Sequence, residues 1–408
     1  MSTIVRAITA EEIPAFVRAD AAGFGESERF AEMQPRWVAD ELDRTRAAFD
    51  GDELVATSRN YTFELTLPGG AIVPAAGVSA VAVLPTHRRR GILRAMMTAL
   101  LDDAVERAEP VAMLTASEGG IYGRFGFGVS TQAAQIDLDV RNAQFALPRP
   151  EGRLRLVAPE ELQKQAPALF DRVRRSYPGA VSRTEIWWTE VQFDRELARE
   201  VGNRFDVLYE SPEGAVDGFV TYSVKDRWSR DPSHKVFVRD MVTATPDATH
   251  ALWRYLCEID LVRTVQAHRV PLDSPLPWLL ASPRFGGATF VDDYVWTRIL
   301  DVPASLGART YAAAGRFVVE VHDPSRPGGA ADGTFVVEGG PDGADVRATS
   351  DAADVVCDVS ALSTVWLGGT RASTLAGAGL IEERTPGVLQ TVDAMLASTP
   401  LPFPFTWF

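Results

Sequence analysis

Residues 81–97 read VAVLPTHRRRGILRAMM: an apolar run that breaks at a proline, passes three arginines and a glycine, and resumes at helical spacing. Pro85 ends a strand, because proline cannot donate to a sheet ladder. Over residues 92–107 the apolar side chains Leu93, Met96, Met97, Leu100, Leu101 and Val105 recur on the period of a helix. Pro110 closes it, and residues 111–114 make another short strand. Strand, tight loop, helix and strand in that order predict a right-handed crossover on a sheet. The first amides of a helix lack an intrahelical partner, and the helix dipole adds partial positive charge there. Such an end binds a pyrophosphate. Gly91 lets the backbone approach closely, and Arg88, Arg89 and Arg90 bring guanidinium groups for phosphates. Taken alone, the same residues also fit a solvated arginine run ahead of an ordinary helix.

Strands are also expected over 53–61 and 71–83, with Pro68, Gly69 and Gly70 as the turn between them. A fainter copy of the unit follows later. Residues 237–245 read as a strand, then come Pro246 and an apolar-periodic helix through Leu252, Tyr255, Leu256 and Ile259. VTATP at 242–246 stands against VAVLP at 81–85, without the arginines and the glycine. A duplicated domain that has lost its site accounts for this, and so does chance likeness. A third region starts near Val302. Glycine and proline crowd residues 323–343 and mark hairpin turns between strands at 316–321 and 333–338. Helical stretches follow at 359–366 and 388–395.

A second motif lies downstream of the first helix. Residues 115–127 read TASEGGIYGRFGF. RRRGIL at 88–93 resembles the R/Q-x-x-G-x-G/A signature of GNAT acetyltransferases, with Leu93 where a small residue is usual. The tyrosine followed by Gly-Phe in the second motif resembles the same group. Together the two motifs resemble the Eis (enhanced intracellular survival) family, and the resemblance runs over the whole chain.

That resemblance implies an α/β (α+β) architecture: a catalytic GNAT domain over 1–148, a degenerate GNAT-like domain over 149–300, and a sterol-carrier-protein-like α+β domain over 301–408. It implies acetyl-CoA as co-substrate. The backbone of Val81, Ala82 and Val83 would pair with the pantetheine arm. Arg89, Arg90, Gly91, Ile92, Leu93 and Arg94 would hold the pyrophosphate, with Arg88 nearby. Ser117 and Glu118 would lie against the cofactor. Tyr122 would be the general acid toward the departing thiolate, a job suited to a neutral hydroxyl that donates. Read without the family, Tyr122 is a packed aromatic on an apolar face.

The tail TPLPFPFTWF, residues 399–408, carries four aromatics and no charged side chain. Chain ends are usually polar and mobile, so this one is expected to be buried. By the resemblance, Phe408 would act as general base through its main-chain carboxylate; a packing plug between subunits is the other reading. Asp20 and Glu26 are candidates for a negative wall of the acceptor pocket, and Trp37 for an apolar wall. The acceptor is expected to be a small-molecule or peptide amine, an aminoglycoside or other polyamine-like compound. The absence of an acidic side chain among Thr406, Trp407 and Phe408 counts against aminoglycosides.

The remaining composition narrows the alternatives. A chain of 408 residues predicts two to four domains. The net charge of −14 argues against a nucleic-acid binder and suits either a cationic substrate or plain solubility. Cys257 and Cys357 read as small core residues. The histidines, at 87, 234, 250, 268 and 322, show no metal-ligand spacing, so no metal is expected. No apolar run is long enough to span a bilayer. Glu11 and Glu12 stand where a signal peptide would be apolar, which predicts a cytoplasmic protein. A homohexamer is implied by the resemblance alone. Two rivals stay open: a non-catalytic protein holding an apolar ligand beside a relic GNAT domain, and a transferase of longer acyl groups.

Overall fold

The structure, a computed structural model, describes residues 3–25, 38–191 and 203–408. The chain divides into two compact units. One comprises Met1–Thr131, Tyr294–Ser398 and Thr406–Phe408; the other comprises Gln132–Asp293 and Thr399–Phe405.

The first unit is built on β1 (Ile4–Ala7), β2 (Thr45–Asp50), β3 (Glu53–Thr66), β4 (Ile72–Val83), β5 (Val111–Thr115), β6 (Gly128–Val129) and β14 (Val295–Ile299). Their order in the sheet is β1-β2-β3-β4-β5-β14-β6. Strand alternation sends Ala47 and Phe49 into a core with Phe16 and Val17 of the helix Ile13–Phe24. Ala48, between them, packs with Ile92 and Met96 of the helix Ile92–Glu106 on the opposite face. That second helix is seated by the wholly buried Met96, Met97 and Leu100, each contributing roughly 1.5–3 kcal/mol by burial. The Asn60 side-chain amide donates to the Leu100 carbonyl at 2.9 Å, fastening sheet and helix.

The second unit repeats the plan with β7 (Gln132–Asp139), β8 (Arg153–Val157), β9 (Asn203–Glu210), β10 (Val216–Lys225), β11 (His234–Thr243), β12 (Val262–Val270) and β13 (Phe290–Asp293), in the order β13-β7-β12-β11-β10-β9-β8. Its crossover helix is Pro246–Cys257, so the expected helix stops before Ile259. In each sheet the sixth strand comes from the other end of the central segment. β14 lies between β5 and β6, and β7 lies between β12 and β13. Relative to the expected limits at 148 and 300, β7 pairs in the second sheet and β14 in the first. Period-two alternation marks a strand but not which of two similar sheets it joins.

The C-terminal sheet, β17-β16-β15-β18-β19, uses β15 (Gly315–His322), β16 (Gly333–Gly340), β17 (Gly343–Ala348), β18 (Val355–Asp358) and β19 (Ile381–Glu383). The helix Val359–Val365 packs on β14 and β6 through buried polar contacts. The Ile299 amide donates to Ser363 Oγ at 3.0 Å, and the Trp366 indole donates to Thr297 Oγ1 at 2.8 Å. At Gly128 a side chain would meet the Ser360 carbonyl at 2.0 Å, so only glycine fits under that helix.

Candidate functional site

β4 and β5 run parallel but pair only at Ala75–Val111, Ala76–Ala112 and Gly77–Met113. Beyond Gly77 the strands part, while β4 stays paired with β3 to Val83. One edge of residues 78–83 therefore has no strand partner among the described residues. A bulge lies on that stretch: Ala82 opposes Thr57 and Ser79 opposes Arg59, so Ala80 and Val81 share Ser58. Ala80 has φ of 51°, a left-handed conformation costing a non-glycine residue about 1–3 kcal/mol. Bulges re-aim backbone beside functional sites. The Thr57 hydroxyl lies 2.9 Å from the Ala80 carbonyl oxygen and 3.1 Å from Asp20 Oδ1, tying the bulge to the helix Ile13–Phe24.

The loop after β4 ends in Arg89 with φ of 63° and Gly91 with φ of 81°. Gly91 is the N-cap of the helix Ile92–Glu106 and gives it no side-chain cap. The space a side chain would take at Gly91 is open. The first amides of this helix thus face a cleared approach. Arg88, Arg89 and Arg94 are exposed around it, whereas Ile92 is buried and Leu93 half-buried. Arg90 differs from the others. It pairs with Asp50 at 2.9 Å and so holds that carboxyl below the usual range. Ser117 and Glu118 are exposed just past β5.

Tyr122 ends the helical turn Gly119–Tyr122 and is buried. Its ring meets Phe127 edge-on, at 6.1 Å between centroids. It belongs to the cluster of Val78, Met97 and Leu114, against which Val81 and Leu93 also pack. Among the described residues its hydroxyl has no hydrogen-bond partner. Burial pushes its pKa above the ordinary value of 10, and the nearby charge of Glu118 adds to the rise. The hydroxyl is therefore protonated at neutral pH.

The last residue reaches the fork itself. Thr115 Oγ1 donates to the main-chain oxygen of Phe408 at 2.6 Å. The Phe408 ring lies 4.8 Å from that of Phe63. A side chain on Gly77 would come within 2.4 Å of Phe63 and 3.3 Å of Phe408. Thr115, Gly77 and Phe63 were not singled out from the sequence; the Thr115 contact spans 293 positions, beyond any local pattern.

Beside Phe63, Tyr61 is half-buried, with the Arg59 guanidinium 4.1 Å from its ring centre. Arg59 donates to the Asp40 carbonyl at 2.8 Å and lies 3.9 Å from the Glu41 carboxylate. Burial raises the Tyr61 pKa; the Arg59 cation opposes the rise, and Asp20, Glu41 and Asp40 add to it. Asp20 thus acts on Tyr61 together with Glu41, Asp40 and the opposing Arg59 cation, while Glu26 and Trp37 lie outside the described residues. Both cysteines are buried, and burial pushes each thiol up to about 12, which makes them poor nucleophiles. The described residues contain no group of three metal-ligating side chains and no helix long and apolar enough to cross a membrane.

Residues 4–130 and 179–299 match acetyltransferase (GNAT) domains, and residues 302–404 match the sterol carrier protein domain. The N-acetyltransferase Eis of Mycobacterium tuberculosis is 37% identical over 85% of this chain and 84% of its own. The chain belongs to the Eis family of GNAT N-acetyltransferases. An uncharacterized N-acetyltransferase of Streptomyces avermitilis is 39% identical over 98% of this chain and 97% of its own. The crystal structure of Eis1 from Mycobacterium abscessus superposes with a TM-score of 0.86 at 34% identity, covering all of both chains. The Eis-family chain is thus an acetyltransferase enzyme with two GNAT domains and a sterol-carrier-like domain, which removes the non-catalytic rival.

Proposed function

We propose that this enzyme moves the acetyl group of acetyl-CoA directly onto a primary amine, with Tyr122 as general acid and the terminal carboxylate of Phe408 as general base. The observation that carries the reading is the seat of Phe408 at the β4–β5 fork, bonded to Thr115. The unpaired edge of Val81, Ala82 and Val83 suits an extended amide-bearing arm laid alongside it. The open helix start at Gly91, flanked by Arg88, Arg89 and Arg94, suits the pyrophosphate. Arg90 contributes less, because Asp50 already neutralises it. Ser117 and Glu118 border the same end of β5.

In the transfer, the amine nitrogen bonds to the thioester carbonyl carbon and the C–S bond breaks. The amine proton goes to the Phe408 carboxylate, and the Tyr122 proton goes to the departing sulfur. Holding both reactants in line supplies much of the rate, and no enzyme-bound acyl intermediate is needed. An α-carboxylate has an ordinary pKa of about 3.3–3.7, so Phe408 serves an amine that arrives neutral or through a water relay. Around Tyr61 the carboxylates of Asp20, Asp40 and Glu41 outnumber the single guanidinium of Arg59, a balance that favours a cationic acceptor, of the aminoglycoside or polyamine kind. Homohexameric assembly and a cytoplasmic location join the reading through family likeness alone.

The test is free CoA release with acetyl-, propionyl- and butyryl-CoA against polyamines, aminoglycosides and lysine peptides. A chain extended beyond Phe408 is expected to be inactive while still binding acetyl-CoA. Full activity in that chain contradicts the general-base role.

A further inference from the structure

We infer that Thr115 is the positioning residue for the Phe408 carboxylate, holding one of its oxygens so that the other faces the attacking amine. The inference rests on Phe408 acting as base. The backbone of Thr115 is occupied in the β5–β14 ladder, opposite Val295, so its place at the fork is fixed by the sheet. Its side chain is left to turn toward the fork, where it donates to Phe408 at 2.6 Å. The ring of Phe408 is tilted against Phe63 at 54°, over a strand position that admits no side chain at Gly77. Ring slot and hydroxyl hold Phe408 at two points, its ring and one carboxylate oxygen.

The chemistry of the seat separates aim from strength. A hydrogen bond donated to the charged form lowers a carboxyl pKa. The contribution of Thr115 is therefore orientation, not added basicity, and removing the hydroxyl leaves the carboxylate free to turn.

The test compares Thr115→Val, Thr115→Ser and a chain extended by two glycines beyond Phe408. Rates are read as free CoA release with the acceptor amine that turns over fastest in the unchanged chain. Thr115→Val is expected to lower kcat about ten- to a hundredfold, the range for a hydrogen bond to a charged group, with the acetyl-CoA thermal shift intact. Thr115→Ser keeps the hydroxyl and should restore the rate. A Thr115→Val enzyme with the wild-type rate, beside an inactive extended chain, overturns the positioning role and leaves Phe408 as base. Wild-type behaviour in both overturns the two readings together.

Discussion

The two GNAT halves begin their crossover helices in opposite ways. In the first half, residues 84–91 separate β4 from the helix Ile92–Glu106, and Gly91 leaves the first amides uncapped in open space. In the second half only Ala244 and Thr245 separate β11 from Pro246–Cys257. There the Thr245 side chain accepts from the Ala248 amide at 3.2 Å, and Pro246 has no N–H to offer. A helix end that satisfies its own donors has little left for a phosphate. The sheets behind the two ends are alike: each carries a bulge beside the diverging strand pair, at Ala80 and Val81 in one and at Arg239 in the other. The tyrosine differs too. Gly123–Phe125 and Gly126 have a counterpart in Pro283–Phe285 and Gly286, but Ser282 stands where the first half has Tyr122. Two similar scaffolds thus diverge at the residues that handle charge more than at those that build the sheet.

Five substitutions sharpen or break this contrast. Tyr122→Phe gives the first half the second half's lack of an acid and should lower kcat about 10²–10⁴-fold, with the acetyl-CoA dissociation constant unchanged by calorimetry. In the wild type, burial holds Tyr122 protonated beyond pH 10, so the loss of kcat on raising pH should begin only above that value; the variant should lose this limb. Gly91→Val, at φ of 81°, strains the loop and covers the amides. Steady-state kinetics should show roughly a hundredfold lower kcat/KM for acetyl-CoA. Arg89→Ala should raise the acetyl-CoA KM more than Arg90→Ala, each by no more than a few-fold, as expected for exposed charges; equal effects would remove the distinction that Asp50 makes. Thr245→Ala should leave acetyl-CoA kinetics untouched and lower stability by about 1 kcal/mol through loss of a cap, read as the urea midpoint.

Much of this was legible in the chain. The proline-arginine-glycine run located the loop, and the apolar period located its helix. Turn residues separated the strands of the third region. The strand exchange was hidden, because residues 132–139 and 295–299 carry alternation that fits either sheet. The seat of Phe408 was hidden for another reason. Thr115, Gly77 and Phe63 are ordinary strand residues until the far end of the chain arrives against them. The aromatic, uncharged tail signalled burial but carried no address. The bulge at Ala80 also lacked a local signal, since alanine at positive φ is chosen by the sheet and not by propensity.

The most direct test is a crystal structure at saturating coenzyme A. The account predicts one coenzyme A per chain, its diphosphate on the amides that follow Gly91 beside Arg88, Arg89 and Arg94, its sulfur facing Tyr122, and Phe408 still bonded to Thr115. A diphosphate bound at the Pro246 helix instead, or a saturated crystal in which the Gly91 loop holds nothing, would contradict it.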